Sequence, residues 1–123
     1  MAEVARARER GRVCVRIGLV SDAVVVLTTV GNAEDARRIA RELVERRLAA
    51  CVNVVESIRS LYRWEEKVAD DAEQLLLIKT LREKTAELRE FLFSIHPYEV
   101  PEFVVLRVEE MSDAYGKWLR ESV

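Results

Sequence analysis

The sequence is poor in the residues that usually mark covalent or metal chemistry. Its 123 residues include two cysteines, one histidine, two prolines and four glycines. Cys14 and Cys51 are too few for a disulfide framework, and neither belongs to a Cys-x-x-Cys pair, so the disulfide-rich and zinc-ribbon classes are excluded. We expect Cys51 to act as a small buried hydrophobic residue.

The sequence also lacks an excess of positive charge and a long apolar run. Its 20 Lys and Arg face 22 Asp and Glu, a net charge of -2, which disfavours non-specific nucleic-acid binding. Its Ala23 to Val30 run is far shorter than the ~20 residues of a membrane span. We therefore expect neither a nucleic-acid nor a membrane partner.

The first 22 residues differ from the rest in being rich in arginine. Arg16 interrupts the apolar run from Val13 to Val20, and acidic residues are interspersed, so the segment is a poor signal or transit peptide. We expect a cytoplasmic protein in which residues 1–22 form a peripheral extension and residues 23–123 form the domain. The run from Val13 to Val20 alternatively allows one additional strand.

Half of the residues are hydrophobic and 34% are charged, which suits one compact domain. The β-branched run Ala23–Val30 predicts a buried strand, and Asn32 is placed to cap the helix that follows it. The apolar stripe of that helix recurs at helical spacing and comprises Ala36, Ile39, Ala40, Leu43, Val44 and Leu48.

The second half of the pattern begins with a hairpin. Residues 50–64 predict a strand with a bulge near Val54-Val55, Trp64–Lys67 its turn, and residues 68–79 the returning strand. Thr80–Glu83 has the spacing of a capping box for a second helix. That helix ends at His96, before Pro97. A strand over 102–108 and a last helix capped by Ser112 complete the chain.

This order predicts an α+β fold, a ferredoxin-like βαββαβ sandwich with an extra C-terminal helix. Two main helices cover only one face of such a sheet. Val54, Val55, Ile58, Tyr62 and Trp64 are more apolar than a solvated edge requires, and an exposed patch of this kind usually marks an interface. We therefore expect an oligomer.

No motif of a known catalytic class is present, including the P-loop, Gly-x-Gly-x-x-Gly and His-Glu-x-x-His, and we do not expect an enzyme. The loop Ser94–Glu102 instead gathers an imidazole, a phenol and carboxylates between two prolines. His96 serves there either as a site residue or as the end of the helix. Tyr62 with Trp64, and Glu73 with Lys79, likewise suit either packing and salt bridges or a ligand site.

Taken together, these segments resemble the CutA family of divalent-cation tolerance proteins. The resemblance covers about Ala23 to Ser122. Its matching strings are Leu48–Asn53, Ser60–Glu65 with Lys67, Glu73 with Leu76–Thr80, His96–Glu102, and Tyr115 with Trp118-Leu119. The family implies a tight homotrimer, similar in form to PII signalling proteins, that is linked to tolerance of copper and other divalent metals and has no established enzymatic activity.

Two positions depart from the family pattern. Glu66 stands where the hairpin turn usually has glycine. Copper-binding members use a cysteine and two consecutive histidines, whereas the matching residues here are Thr28, Ile95 and His96. The resemblance thus implies at most weak binding of a divalent metal such as Cu²⁺, through His96.

A second function remains open beside metal tolerance. A PII-like signalling trimer would bind an unidentified small molecule between subunits. The residues that we expect to bind such a ligand are Tyr62, Trp64, Glu73, Lys79, Tyr98 and Glu102.

Overall fold

The computed structural model describes residues 22–123, so the extension before Asp22 and the strand alternative for Val13 to Val20 lie outside it. The described chain contains four strands and three main helices. They are β1 (Ala23–Val30), α1 (Ala33–Glu45), β2 (Cys51–Trp64), β3 (Lys67–Leu81), α2 (Thr85–Ile95), β4 (Val104–Arg107) and α3 (Asp113–Glu121).

The four strands form one antiparallel sheet in the order β2-β3-β1-β4. β1 lies in the interior of the sheet, paired with β3 from Ala23↔Leu81 to Val30↔Gln74. This order, with α1 and α2 as connections, is the predicted ferredoxin-like fold, and α3 is the predicted C-terminal addition.

Helix α1 begins as the sequence indicates. The Asn32 side chain accepts a hydrogen bond from the Asp35 backbone N–H at 2.8 Å, which satisfies one of the free donors of the first turn. Ile39 and Leu43 are fully buried against the sheet. Val44, predicted within the apolar stripe, is instead 42% exposed, so the packed stripe is narrower than its sequence pattern.

Helix α2 does not begin with the predicted capping box. Thr80 lies in β3, fully buried, and its hydroxyl donates to the Leu48 carbonyl at 2.8 Å. A short 3₁₀ turn, Arg82–Lys84, follows, and α2 then starts at Thr85 without a side-chain cap. The hydroxyl of Thr80 thus gives the Leu48 carbonyl, in the connection after α1, a hydrogen-bond donor.

The hairpin of β2 and β3 turns through Glu65-Glu66, at the predicted place. Both residues have positive φ, 50° and 66°, and Trp64 pairs with Lys67 across the turn. Two consecutive left-handed residues define a type I′ turn, which is normally built from Asn and Gly. The turn therefore forms with glutamate in a conformation that L side chains disfavour.

The sheet has one covered and one open face. Alternate residues of β1 and β3, such as Val24, Val26, Leu76 and Ile78, are buried beneath α1 and α2. The opposite rows form what we call the open face, whose apolar members are Val25, Leu27, Val55, Leu75, Leu77, Val104 and Leu106. Val55, Val104 and Leu106 are at least 40% exposed.

Helix α3 covers one end of the open face. Its Leu119 packs in a small cluster with Ala50 and Leu81. Cys51, expected to be buried, is only half-buried, because it pairs with Lys79 on the open face. Among residues 22–123, no helix combines the length and apolar character that crossing a bilayer requires.

Candidate functional site

The candidate site lies where the loop after α2 passes the end of β1. Helix α2 ends at Ile95 because His96 precedes Pro97 and adopts an extended conformation, with φ −74° and ψ 135°. The loop then carries His96 and Tyr98 back over β1 and β3. Together with Tyr62, Asp71 and Glu73 they form what we call the phenol–carboxylate cluster.

Both ring nitrogens of His96 are engaged by the backbone. Nε2 lies 2.9 Å from the Thr29 carbonyl oxygen, and Nδ1 accepts the Tyr98 N–H at 3.1 Å. Because Nδ1 accepts, the ring proton is assigned to Nε2, which donates to Thr29. His96 thus fastens the loop to β1 and has no free lone pair.

The surroundings of His96 favour its neutral form. The side chain is 8% exposed, and burial lowers its pKa below 6.5. The Thr29 hydrogen bond and the charges of Asp35 and Glu73 oppose that shift. Desolvation of the imidazolium is the dominant effect.

Tyr98 links the loop to β3. Its hydroxyl donates to Glu73 Oε2 at 2.6 Å, and its ring lies against His96 with centroids 4.9 Å apart. Burial, then the Glu73 hydrogen bond and charge, raise the Tyr98 pKa far above 10. Tyr98 therefore stays a phenol, and its hydroxyl donates the hydrogen bond that the Glu73 carboxylate accepts.

Glu73 is positioned by a bulge in β2. Glu56 and Ser57 together lie opposite Gln74, between the pairs Val55↔Leu75 and Ile58↔Glu73. The predicted bulge therefore lies just after Val55.

Gln74 stabilises this irregularity. Its Oε1 accepts the Ser57 N–H at 3.0 Å, and its Nε2 donates to the Gly31 carbonyl at 3.4 Å. Ser57 has a positive φ of 63°. Bulges commonly redirect a strand next to a functional site, and this one redirects the outer part of the hairpin.

Tyr62 makes a second phenol–carboxylate pair on that outer hairpin. Its hydroxyl donates to Asp71 Oδ2 at 2.5 Å, and this bond is the main cause of its raised pKa. Tyr62 and Asp71 both act electrostatically on Tyr98, so the two pairs are neighbours. Asp71 is the member that sequence reasoning missed, although it has the same strand parity as Glu73.

Two other expected ligand-binding residues, Trp64 and Lys79, lie far from Glu73 along the strands of the described chain. Trp64 pairs with Lys67 at the hairpin tip, and Lys79 pairs with Cys51. Lys67 and Lys79 each lie six residues along β3 from Glu73, about 20 Å in a strand. Glu102 is half-buried near the start of β4.

The three residues that the resemblance matches to copper ligands do not form a copper site here. Thr28 lies in the core with its hydroxyl lacking a hydrogen-bond partner, Ile95 packs against the same core, and His96 has no free lone pair. Within residues 22–123, no group of three or more His, Cys, Asp or Glu side chains is placed to hold a metal ion. These side chains do not fit Cu²⁺, which favours imidazole and thiolate ligands.

The fold and the cluster define a small ferredoxin-like α+β protein with a His-Pro-Tyr loop fastened over the end of its sheet. The family model described as CutA1 divalent ion tolerance protein matches residues 24–122. The chain belongs to this family, which confirms the assignment expected from its motifs.

Individual relatives agree with the family match. The divalent-cation tolerance protein CutA of Thermus thermophilus is 50% identical over 98 residues, covering 80% of this chain and 95% of that protein. The chloroplastic protein CutA of Arabidopsis thaliana is 43% identical over 100 residues, covering 81% of this chain and 55% of that protein. A solved structure of the divalent cation tolerance protein (Cut A1) from Thermus thermophilus has a TM-score of 0.80 at 48% identity, covering 82% of this chain and 98% of that one.

Proposed function

We propose that this protein acts in the tolerance of divalent cations as a homotrimer, and that it does so by binding rather than by catalysis. Family membership carries the proposal, since relatives such as the Thermus thermophilus protein are named for divalent-cation tolerance. The cluster supports a binding role, because its imidazole and both phenols are held by hydrogen bonds and none is poised as a base or nucleophile.

The open face supports assembly into a trimer. Its valines and leucines are distributed over all four strands, with Leu77, Leu27 and Val104 side by side on β3, β1 and β4. Trp64 at the hairpin tip is 58% exposed. Apolar surface of this extent usually belongs to a protein interface. A PII-like trimer whose sheets face inward would remove it from water.

Tolerance itself is testable in cells. A bacterial strain that lacks its own family member would be grown in rising Cu²⁺ with empty vector, the wild-type chain, or a Leu77→Asp variant that places a charge on the open face. We expect the wild type to raise the inhibitory concentration and the variant to lose that effect at equal expression. No difference between wild type and empty vector would contradict the proposed function.

Direct metal binding by the isolated protein is expected to be weak. Any contribution of His96 as a ligand requires it to release the Tyr98 N–H or the Thr29 carbonyl. Calorimetric titration of Cu²⁺ would compare the wild type, His96→Ala, and a Thr28→Cys/Ile95→His variant that restores the family residues. We expect weak binding that His96→Ala abolishes and that the restoring variant tightens.

The contradicting result is a clear one. Submicromolar Cu²⁺ binding that survives His96→Ala would assign the metal to cysteine or to an acidic cluster instead.

The second candidate function is small-molecule binding in a PII-like trimer. It is favoured by Glu73 and Asp71, two neighbouring carboxylates whose hydrogen bonds come from phenols. A thermal-shift screen of divalent metals and metabolites would separate the candidates, because a ligand specific for the native state raises the midpoint. A metabolite whose shift is lost in Tyr98→Phe would favour the second function, and a shift by metals alone the first.

We further propose a cytoplasmic location without nucleic-acid partners. The net charge of -2 supports the latter. A relative from Arabidopsis thaliana is named chloroplastic, so the location of this chain has to be measured for this chain itself. Fractionation of the native cell with an antibody to this chain would test it, and recovery outside the cytoplasmic fraction would contradict it.

A further inference from the structure

Two opposite charges on the open face lack partners within the described chain. Glu73 is 8% exposed, and its carboxylate has a phenol as its hydrogen-bond donor. Lys79 is half-buried, with its Nζ 5.9 Å from the centre of the Tyr115 ring. Among residues 22–123, neither side chain has an oppositely charged group within 4.0 Å, although six other ion pairs form, from Arg37–Glu56 to Arg59–Asp70.

A carboxylate removed from water without a counter-charge is destabilising. One neutral hydrogen bond offsets only part of that penalty. The structure therefore contains a nearly buried carboxyl group that no positive side chain of residues 22–123 accompanies.

Lys79 cannot supply that cation within its own chain. The two residues lie on one face of one strand, six positions apart, which is about 20 Å. Between them stand Leu75 and Leu77, the middle of the open face. Glu73 and Lys79 thus lie at opposite ends of the apolar centre of the open face.

We propose that Lys79 of one copy pairs with Glu73 of the next copy around the ring. This inference rests on the proposed trimer. The occupant of the open face is then a second copy of this chain, which brings a cation to the carboxylate and apolar rows to the leucines. The phenol–carboxylate cluster is incomplete until that copy contributes Lys79 and the neighbouring Tyr115. The contact is heterologous, and such contacts close into a ring when the rotation between copies is a whole fraction of a turn.

A charge-exchange experiment tests the pair. Full-length Glu73→Lys and Lys79→Glu chains, one of them carrying a mass tag, would be refolded alone and together and examined by native mass spectrometry. Each variant alone places like charges at all three interfaces. A mixed trimer has opposite charges at two of its three interfaces.

We expect the ratio of mixed to homogeneous trimers to exceed its statistical value by about tenfold or more, since contacting charges couple strongly. The double variant Glu73→Lys/Lys79→Glu, which reverses every pair, is expected to recover trimers without mixing. Statistical mixing, or a double variant no better than its parents, would overturn the pairing.

Two controls keep the outcomes separate. Arg59→Glu and Asp70→Arg reverse an exposed pair that already forms within one chain at 2.8 Å, so their mixture should remain statistical. If the charge reversals fail to fold, Glu73→Gln, Lys79→Gln and the double variant take their place. A loss of trimer affinity in the double variant that equals the product of the two single losses would overturn the pair, because it would show that the two side chains act independently. A wild-type chain that is monomeric would instead refute the proposed trimer, and preferential pairing in a dimer would retain the pair but refute the ring of three.

Discussion

At the scale of single residues, Thr28 is the least satisfied part of the core. It is fully buried, and its hydroxyl has no hydrogen-bond partner. A buried polar group without a partner costs about 1–3 kcal/mol. Thr28 therefore places an unsatisfied polar group in the core.

We expect Thr28→Val to stabilise the protein by about 1 kcal/mol, because valine keeps the shape and removes the unsatisfied hydroxyl. Urea unfolding at a fixed protein concentration would measure the change in midpoint. Thr28→Ser is the matched control, since it keeps the hydroxyl and loses a methyl group, and it should destabilise. A valine variant with a lower midpoint than wild type would refute this account of Thr28.

His96 gives the fold a pH dependence whose sign follows from its environment. Its pKa in the folded protein lies below the value near 6.5 of the unfolded chain. The unfolded chain therefore binds more protons between these two values, so stability falls as the pH falls. The contribution is complete above about pH 6.5 and is lost as the pH drops through the folded pKa.

Because His96 is the only histidine in the sequence, the effect can be isolated. We expect the thermal midpoint of the wild type to fall from pH 7 to pH 5.5 more steeply than that of His96→Gln. The glutamine side chain can still donate and accept a hydrogen bond but does not titrate there. Parallel slopes for the two proteins would show that His96 is not held in its neutral form.

At the scale of elements, the turn of the β2–β3 hairpin is the most strained connection. Glu65 and Glu66 both have positive φ, at a cost of about 1–2 kcal/mol for each L residue. Asn and Gly relieve this cost in type I′ turns.

We expect Glu65→Asn/Glu66→Gly to stabilise the protein by about 1 kcal/mol or more. Differential scanning calorimetry would measure the shift in midpoint. Glu90→Gly, on the exposed surface of α2, is a matched control and should destabilise by about 1 kcal/mol. Equal losses in both variants would show that the turn is not left-handed.

Local sequence patterns predict some features of the helices and strands and miss others. The strands, the α1 stripe and the hairpin follow from local periodicity, which each segment displays by itself. The capping box at Thr80 was wrong because the tertiary bond to Leu48 outweighs a local pattern. The left-handed Glu65-Glu66 pair was not expected because the twist of the hairpin, rather than residue preference, selects the turn.

The candidate site was only partly predictable for a similar reason. The His-Pro-Tyr loop is conspicuous along the chain, but its bond to Glu73 joins residues 25 positions apart. Whether His96 ends a helix or serves a site is decided by the Thr29 carbonyl, and no sequence pattern marks that group. Trp64 and Lys79 remain far from Glu73 in one protomer, because both lie along extended strands.

At the scale of the whole molecule, we expect the open face to be an interface between copies of the chain. The covered face has its core of buried aliphatic residues beneath α1 and α2. The open face has an apolar centre of leucines and valines, an aromatic hairpin tip at one end, and α3 at the other. A sheet with two apolar faces and helices over only one is stable in water when a second layer covers the other.

The most direct test is the molar mass of the full-length protein in solution at micromolar concentration. Light scattering coupled to size exclusion is expected to give three times the 14.2 kDa of one chain. If the Trp64 side chain is buried between subunits, Trp64→Ala should reduce the stability of the trimer by about 3–5 kcal/mol. A Trp64→Ala variant that remains a fully stable trimer would place Trp64 outside the interface core. A wild-type mass equal to one chain would contradict the account of the open face.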